Sequence, residues 1–334
     1  MKRKPLTKVR LGERGPIISR LCLSGLPFAL DMEECEAGKI IASFQEAGGN
    51  FIDVAGAFGD GRSERIVGRA LRTLQGNWTV ATGMSLAQNS GIASSKLASK
   101  RLWNNVEQSL ERLGLDSVDI YYLRFGYEIA NLEQTVEELG ELIEAGMIKS
   151  WGFSNLPAWK IAELIGIADC LDIPRPIATQ PYYHALYRQA EKDYLPACSH
   201  FRIGVVTCAP LARWLQSGDQ LAEFPLVLQN DIPLIEAGSR PAAQNAINAI
   251  TDYLRSSGRE IMKFAVQWVL ANRLVSSVLV RPRSAEELEV YLSAAEMPYT
   301  LNDEAFVDQL VPSGHTIGSA YRDPNSARGG RVVI

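Results

Sequence analysis

The stretch that decides the fold runs from Val118 to Phe153. It opens with Val118-Asp-Ile-Tyr-Tyr-Leu123, a short apolar run rich in β-branched and aromatic residues. The segment Glu133–Ala145 then carries Val136, Leu139, Leu142 and Ile143 on one face at helical spacing. Gly146 stands just past its end, the usual signal for a helix C-terminus. Ser150-Trp-Gly-Phe153 begins a second apolar run. Strands joined through a helix lie parallel. Runs that are apolar at consecutive positions belong to a sheet covered on both faces.

The same rhythm extends in both directions. Strands are expected upstream at Ile18–Leu23, Asn50–Val54 and Trp78–Thr82, and downstream at Ile177–Gln180, Ile203–Cys208 and Ser277–Val280. Helical periods fill the gaps at Lys39–Glu46, Ser63–Leu74, Lys100–Leu113, Ala158–Ile165 and Ile261–Leu270. Eight strands, each followed by a helix, give an α/β fold of the closed (β/α)8 TIM barrel type. An open doubly wound sheet would want Gly-x-Gly-x-x-Gly after its first strand. The nearest candidate, Gly56-Ala-Phe-Gly-Asp-Gly61, has another spacing and follows the second strand. One domain is therefore expected over 1–334: an N-terminal β-hairpin at 8–17, the barrel at 18–296 and a C-terminal segment at 297–334. A long loop after the seventh strand, Gln216–Gln244, reads as a lid, and the Gly/Arg/Ser-rich Gly314–Ile334 as a C-terminal arm. Plain surface connection is the alternative for both.

Composition narrows the function classes. Of 334 residues, 46% are hydrophobic and 22% charged, which fits a packed globular chain and not a disordered one. The longest apolar runs, such as Ile203–Val206 and Val278–Val280, fall far short of the ~20 residues of a membrane helix. No membrane insertion is expected. A net charge of −4 offers no basic field for nucleic acid. The start, Met1 to Lys8, is basic without an apolar stretch behind it, so no secretory signal is read there. Five cysteines, an odd number without CxxC spacing, suggest reduced thiols in a cytoplasmic protein. Three scattered histidines give no metal site. Oligomeric state has no signature in the sequence.

Chemistry in such a barrel sits where strands end. Here the strand ends carry Asp53, then Arg124, then Ser154-Asn155, then Gln180 followed by Tyr182, Tyr183 and His184. Ala209-Pro-Leu211 follows the seventh strand, and Arg281 and Arg283 the eighth. Polar groups converging from many strands point to a cleft for a small-molecule ligand. Each residue alone has a plainer reading. Asp53 or Ser154-Asn155 could cap a helix, the tyrosines could pack, and Arg283 could be a solvated charge.

Seven short motifs follow one another in order: Asn50-Phe-Ile-Asp-Val-Ala55, Gly59-Asp-Gly-Arg-Ser-Glu64, Ser109-Leu-Glu-Arg-Leu-Gly-Leu-Asp116, Asp119-Ile-Tyr-Tyr-Leu123, Gly152-Phe-Ser-Asn155, Gln180-Pro-Tyr-Tyr183 and Ala209-Pro-Leu211. With these the chain resembles the aldo-keto reductase family from about Val9 to Ala295, especially the bacterial branch related to potassium-channel β subunits. The resemblance implies the eight-stranded barrel and reversible hydride transfer between NADP(H) and a small carbonyl or alcohol. It implies that Ser154, Asn155 and Gln180 hold the nicotinamide amide and that Tyr183 stacks on its ring. It gives the 2′-phosphate to Arg283 and Ser284, with Ala209, Leu211 and Glu287 completing the cofactor site. The family's Glu-Asn pair near the adenine is Val290-Tyr291 here, so NAD(H) stands as the alternative cofactor.

The family's catalytic tetrad is Asp-Tyr-Lys-His. Asp53 matches the aspartate, while Phe58, Gly83 and Arg124 stand at the other three positions. Carbonyl reduction needs a proton donor, and tyrosine serves well when a nearby ammonium lowers its pKa. Phe58 has no proton to give and Gly83 no charge to help. Asp53 would then be a buried carboxylate without its lysine, a costly arrangement. Arg124 is expected to supply the countercharge or to clamp an anionic ligand. A divergent enzyme follows, transferring hydride with another donor, such as Tyr182 or a water polarised by Arg124, or running redox-neutral chemistry. The alternatives are a catalytically inactive nucleotide-sensing or binding subunit and an ordinary NADPH-dependent carbonyl reductase.

Overall fold

The computed structural model describes residues 4–30, 32–85, 95–124, 131–154, 156–208 and 241–317. Strands β1 (Lys8–Arg10) and β2 (Ile17–Ser19) form an antiparallel hairpin. Eight parallel strands follow: β3 (Leu21–Ser24), β4 (Phe51–Asp53), β5 (Thr79–Ser85), β6 (Ile120–Arg124), β7 (Trp151–Ser154), β8 (Ala178–Gln180), β9 (Gly204–Thr207) and β10 (Val275–Val280). Each pairs with its neighbour in sequence, and β10 closes on β3. The closed barrel expected from the strand count is the fold.

Around the barrel lie α1 (Glu34–Glu46), α2 (Arg62–Thr73), α3 (Ser95–Leu113), α4 (Leu132–Glu144), α5 (Ala158–Cys170) and α6 (Tyr194–His200). They are followed by α7 (Pro241–Arg255), α8 (Ile261–Ala271), α9 (Ala285–Ala294) and α10 (Leu301–Leu310). The lid expected at Gln216–Gln244 lies outside the described residues up to 240, and Pro241 already opens α7. The arm expected at Gly314–Ile334 lies outside them from 318 onward.

One expected strand is in fact two. Ile18–Leu23 divides at Arg20, whose guanidinium donates to the carbonyls of Leu270 and Val275, both at 2.9 Å. Ile17–Ser19 stays with the hairpin and Leu21–Ser24 enters the barrel. An apolar run shows no break where a single polar residue redirects the backbone. The hairpin tip then plugs the barrel floor. Leu11 is fully buried beside Ile18 in the interior cluster. Gly12 allows this approach: its φ is +63°, and a Cβ there would lie 2.5 Å from the Ile177 carbonyl oxygen.

Side chains alternate between the barrel interior and the helical jacket. Ile52, Val80, Tyr121, Leu123, Trp151, Phe153, Val205 and Val278 face the helices. The inward residues fall into layers drawn from alternate strands. Phe51, Ile120, Ala178 and Leu279 make the lowest, and Cys22, Ala81, Gly152 and Val206 the next. Above them the same alternation places Asp53, Tyr122, Gln180 and, just past β10, Arg281. Ser24, Gly83, Ser154 and Cys208 stand above those. The interior is thus oily below, polar in its third layer and lined with small residues in its fourth. Gly152 brings no side chain, and the Tyr122 ring takes its place: a Cβ there would sit 2.7 Å from the ring.

A buried arginine fastens the last helix to the barrel. Arg188, after β8, donates to Glu191 (3.0 Å), Glu304 (3.0 Å), Asp308 (2.6 Å) and the Val311 carbonyl (2.9 Å), over the Trp268 ring. Its acidic neighbours offset the cost of burying the guanidinium and hold its pKa above the ordinary arginine value. Arg188→Ala leaves these acceptors without their donor, and an unfolding free energy lower by about 3 kcal/mol is expected in guanidinium denaturation. Arg188→Lys should recover less than half of that, because one ammonium cannot reproduce the fork of bonds.

Candidate active site

The site grows from the third layer of the barrel. Asp53 ends β4 with 1% of its surface exposed. Gln180, from β8, donates its Nε2 to Asp53 Oδ2 at 2.9 Å. Asp53 Oδ1 has no hydrogen-bond partner among the described residues. Burial raises the Asp53 pKa, while Arg124, the Gln180 hydrogen bond and Arg281 pull it back down. Asp53 is no helix cap: the N-cap of α2 is Gly61.

Arg124 ends β6, one inward step above Tyr122. Its guanidinium lies over the Phe58 ring, 5.1 Å from the centroid, a cation–π arrangement. The expected countercharge is therefore present as an attraction across the mouth. Among the described residues Asp53 has no direct ion pair, and its contact partner is the Gln180 amide. Ser154 is buried and pairs in register with Arg124 on one side and Gln180 on the other.

Gly83 has no room for a side chain. A Cβ there would land on the Tyr122 carbonyl and lie 2.9 Å from its Cβ. The β5 backbone presses against β6 at this point, so a side chain would have to move a strand.

The two tyrosines after β8 separate. Tyr182 continues the inward alternation from Gln180, bridges Cys208 and meets His184 and Tyr187 edge-on at 4.8 and 5.3 Å. It belongs to the rim. His184 is buried, which pulls its pKa down to about 3, and its Nδ1 accepts from the Leu186 amide. Tyr183 faces the helices instead. Its hydroxyl donates to Glu191 at 2.7 Å and accepts from Asn272 at 3.0 Å, and its ring packs 4.9 Å from Trp268. A stacking face toward the mouth does not fit this placement. The packing reading of the tyrosines holds for Tyr183.

The remaining groups gather after β10. Ser284 caps α9, accepting from the Glu287 amide at 3.3 Å. Arg283 is exposed and its guanidinium rests on Glu287 at 2.7 Å. Glu287 thus holds the arginine, and an anion at Arg283 would compete with it. Tyr291 is buried in the core. Asn155, Ala209 and Leu211 lie outside the described residues.

Two further residues join the polar layer: Arg281, which the sequence places among the strand-end groups of the cleft, and Tyr122, which the sequence places in an apolar strand. Tyr122 lies inside the barrel with a buried hydroxyl, and Arg281 brings a buried Nε; neither atom has a hydrogen-bond partner among the described residues. The signal existed: counting two residues back from Arg124 reaches Tyr122, and two forward from Leu279 reaches Arg281. Among the described residues no three His, Cys, Asp or Glu side chains gather as metal ligands.

Residues 27–311 match the aldo/keto reductase family. The chain belongs to that family. Its relatives in the aldo/keto reductase family differ in kind. A probable voltage-gated potassium channel subunit beta of Oryza sativa subsp. japonica is 27% identical, over 93% of this chain and 98% of the relative. An uncharacterized oxidoreductase, YrpG, of Bacillus subtilis is 24% identical over 86% and 90%. The aldo-keto reductase YhdN of the same organism is 27% identical over 78% of both chains.

The raised pKa of Asp53 makes a signed prediction. A carboxyl raised above its unfolded value contributes stability that is full below the unfolded pKa and lost as pH rises through the folded one. Asp53→Asn keeps an acceptor for Gln180 and removes this loss. The variant should gain on the native protein in unfolding free energy as pH rises from about 4, measured by denaturation across pH 4–8. Gly83→Ala should destabilise by about 1–3 kcal/mol, read from the same denaturation curves.

Proposed function

We propose that this chain is a divergent aldo-keto reductase that binds NADP(H), with NAD(H) as the weaker partner, and acts on a small anionic carbonyl or alcohol. The observation that carries the reading is the charge at the barrel mouth. Two guanidiniums, Arg124 and Arg281, act on one buried carboxyl. Two positive groups against at most one negative leave an excess that an anionic substrate neutralises.

The residues fit a nicotinamide nucleotide at its two ends. Ser154 and Gln180 stand side by side in register, a hydroxyl and an amide suited to a carboxamide, and Asn155 follows Ser154. Arg283 and Ser284 open α9, where a helix N-terminus and a guanidinium favour a phosphate. The ring face fits less well, because Tyr183 is committed to Trp268 and Glu191; Tyr182, on the rim, is the described residue left for it. A bound nicotinamide would supply hydride. The chain's own residues orient the substrate through Arg124 and hold Asp53 in place through Gln180. With Phe58 and Gly83 at the tetrad positions, the proton comes from the Tyr182 phenol or from a water beside Arg124. A cytoplasmic setting, which keeps five free thiols reduced, is part of the proposal.

Fluorescence titration with NADPH and NADH tests the nucleotide site. Saturable NADPH binding, tighter than NADH, is expected; no binding of either at millimolar concentration overturns every redox version. A turnover screen of aldehydes, ketones and oxo acids, followed by NADPH absorbance, then separates functions. Arg124→Ala should lower kcat/KM for an anionic substrate about a hundredfold. Nucleotide binding without any turnover would favour a sensing or binding subunit, the role that the printed name of the Oryza sativa relative suggests.

A further inference from the structure

The polar layer holds more hydrogen-bonding capacity than it uses. Asp53 and Tyr122 are each 1% exposed, Gln180 4%. Gln180 donates to Asp53 Oδ2, and the same side chain acts on the Tyr122 hydroxyl. Asp53 Oδ1, Tyr122 Oη and Arg281 Nε all lack a partner among the described residues. A buried polar atom left unsatisfied is destabilising. These residues come from β4, β6 and the end of β10, inward positions of alternate strands, and so face one another across the barrel. Asp53 acts on Tyr122, and Arg281 acts on Asp53, through the same interior.

The three atoms are chemically mixed. Asp53 Oδ1 accepts, Arg281 Nε–H donates, and the Tyr122 hydroxyl does either. A lone anion would be repelled by Asp53, and a lone cation by Arg281. A hydroxyl suits the set: it gives its proton to Asp53 and accepts from Tyr122 and Arg281. Above this floor stand Ser24, Gly83, Ser154 and Cys208, all small.

Arg124 stands one inward step above Tyr122 on the same strand, roughly 6.6 Å along it. A short molecule carrying an acid group at one end and an oxygen beside it can meet Arg124 and the floor together. We propose that the unpartnered atoms of Asp53, Tyr122 and Arg281 form a subsite for the hydroxyl of a small hydroxy acid, whose carboxylate rests on Arg124. This deepens the reading above and rests on it for the anion at Arg124.

The experiment is calorimetric titration of the full chain, saturated with NADPH and also without it, using four probes: lactate, glycolate, acetate and 1,2-propanediol. Lactate and glycolate should bind at least about tenfold tighter than acetate or the diol, because acetate leaves three buried atoms unmatched and the diol leaves Arg124 unmatched. Tyr122→Phe keeps the ring over Gly152 and should lower the preference for lactate over acetate by about tenfold. Tyr121→Phe, whose ring faces the helices, should leave that preference alone. Equal binding of lactate and acetate overturns the subsite while leaving the anion at Arg124 standing, and it would mean that the floor holds water. A Tyr122→Phe variant with unchanged preference also overturns it. No binding of either acid overturns the subsite and the anionic reading together, whereas the NADPH titration alone decides the nucleotide site.

Discussion

The barrel carries a carboxyl group inside its strands, and the rest of the site is arranged around that fact. Asp53 is buried on β4 and, among the described residues, held by a single hydrogen bond from Gln180, across the barrel on β8. A carboxylate removed from water at this depth is expensive unless it is paired. The structure answers with distributed attraction in place of a contact ion pair. Arg124 reaches in from β6, resting on Phe58, and Arg281 from the end of β10. What the arrangement leaves over is positive charge facing the mouth and unspent hydrogen-bonding capacity below it.

The fold was largely legible in the sequence, because a barrel strand buried on both faces is a consecutive apolar run and each run here is followed by a helical period. The misreading at Ile18–Leu23 shows the limit. Nothing in an apolar string marks Arg20 as the point where the chain leaves a hairpin for the barrel, since its partners, the carbonyls of Leu270 and Val275, lie some 250 residues away.

The site was legible where strand period could be counted and obscure where it was not. Asp53, Arg124, Ser154 and Gln180 stand together at strand ends as their positions suggested. Tyr182 and Tyr183 are adjacent in sequence and opposite in space, and only the inward parity set by Gln180 tells them apart. Tyr122 was passed over because an aromatic residue in an apolar strand reads as packing. Gly83 looked like a lost side chain, yet its backbone is pressed so closely on β6 that the loss is built into the strand pairing. Family membership adds the expectation of nucleotide chemistry.

The account stands or falls on what occupies the mouth. A crystal structure of the full chain with NADPH and lactate tests it most directly. The expected result shows the nicotinamide end beside Ser154 and Gln180, the lactate carboxylate on Arg124 and its hydroxyl between Asp53 and Tyr122. A nucleotide seated with Arg124 turned onto its phosphates, or an acid bound away from both arginines, would contradict it.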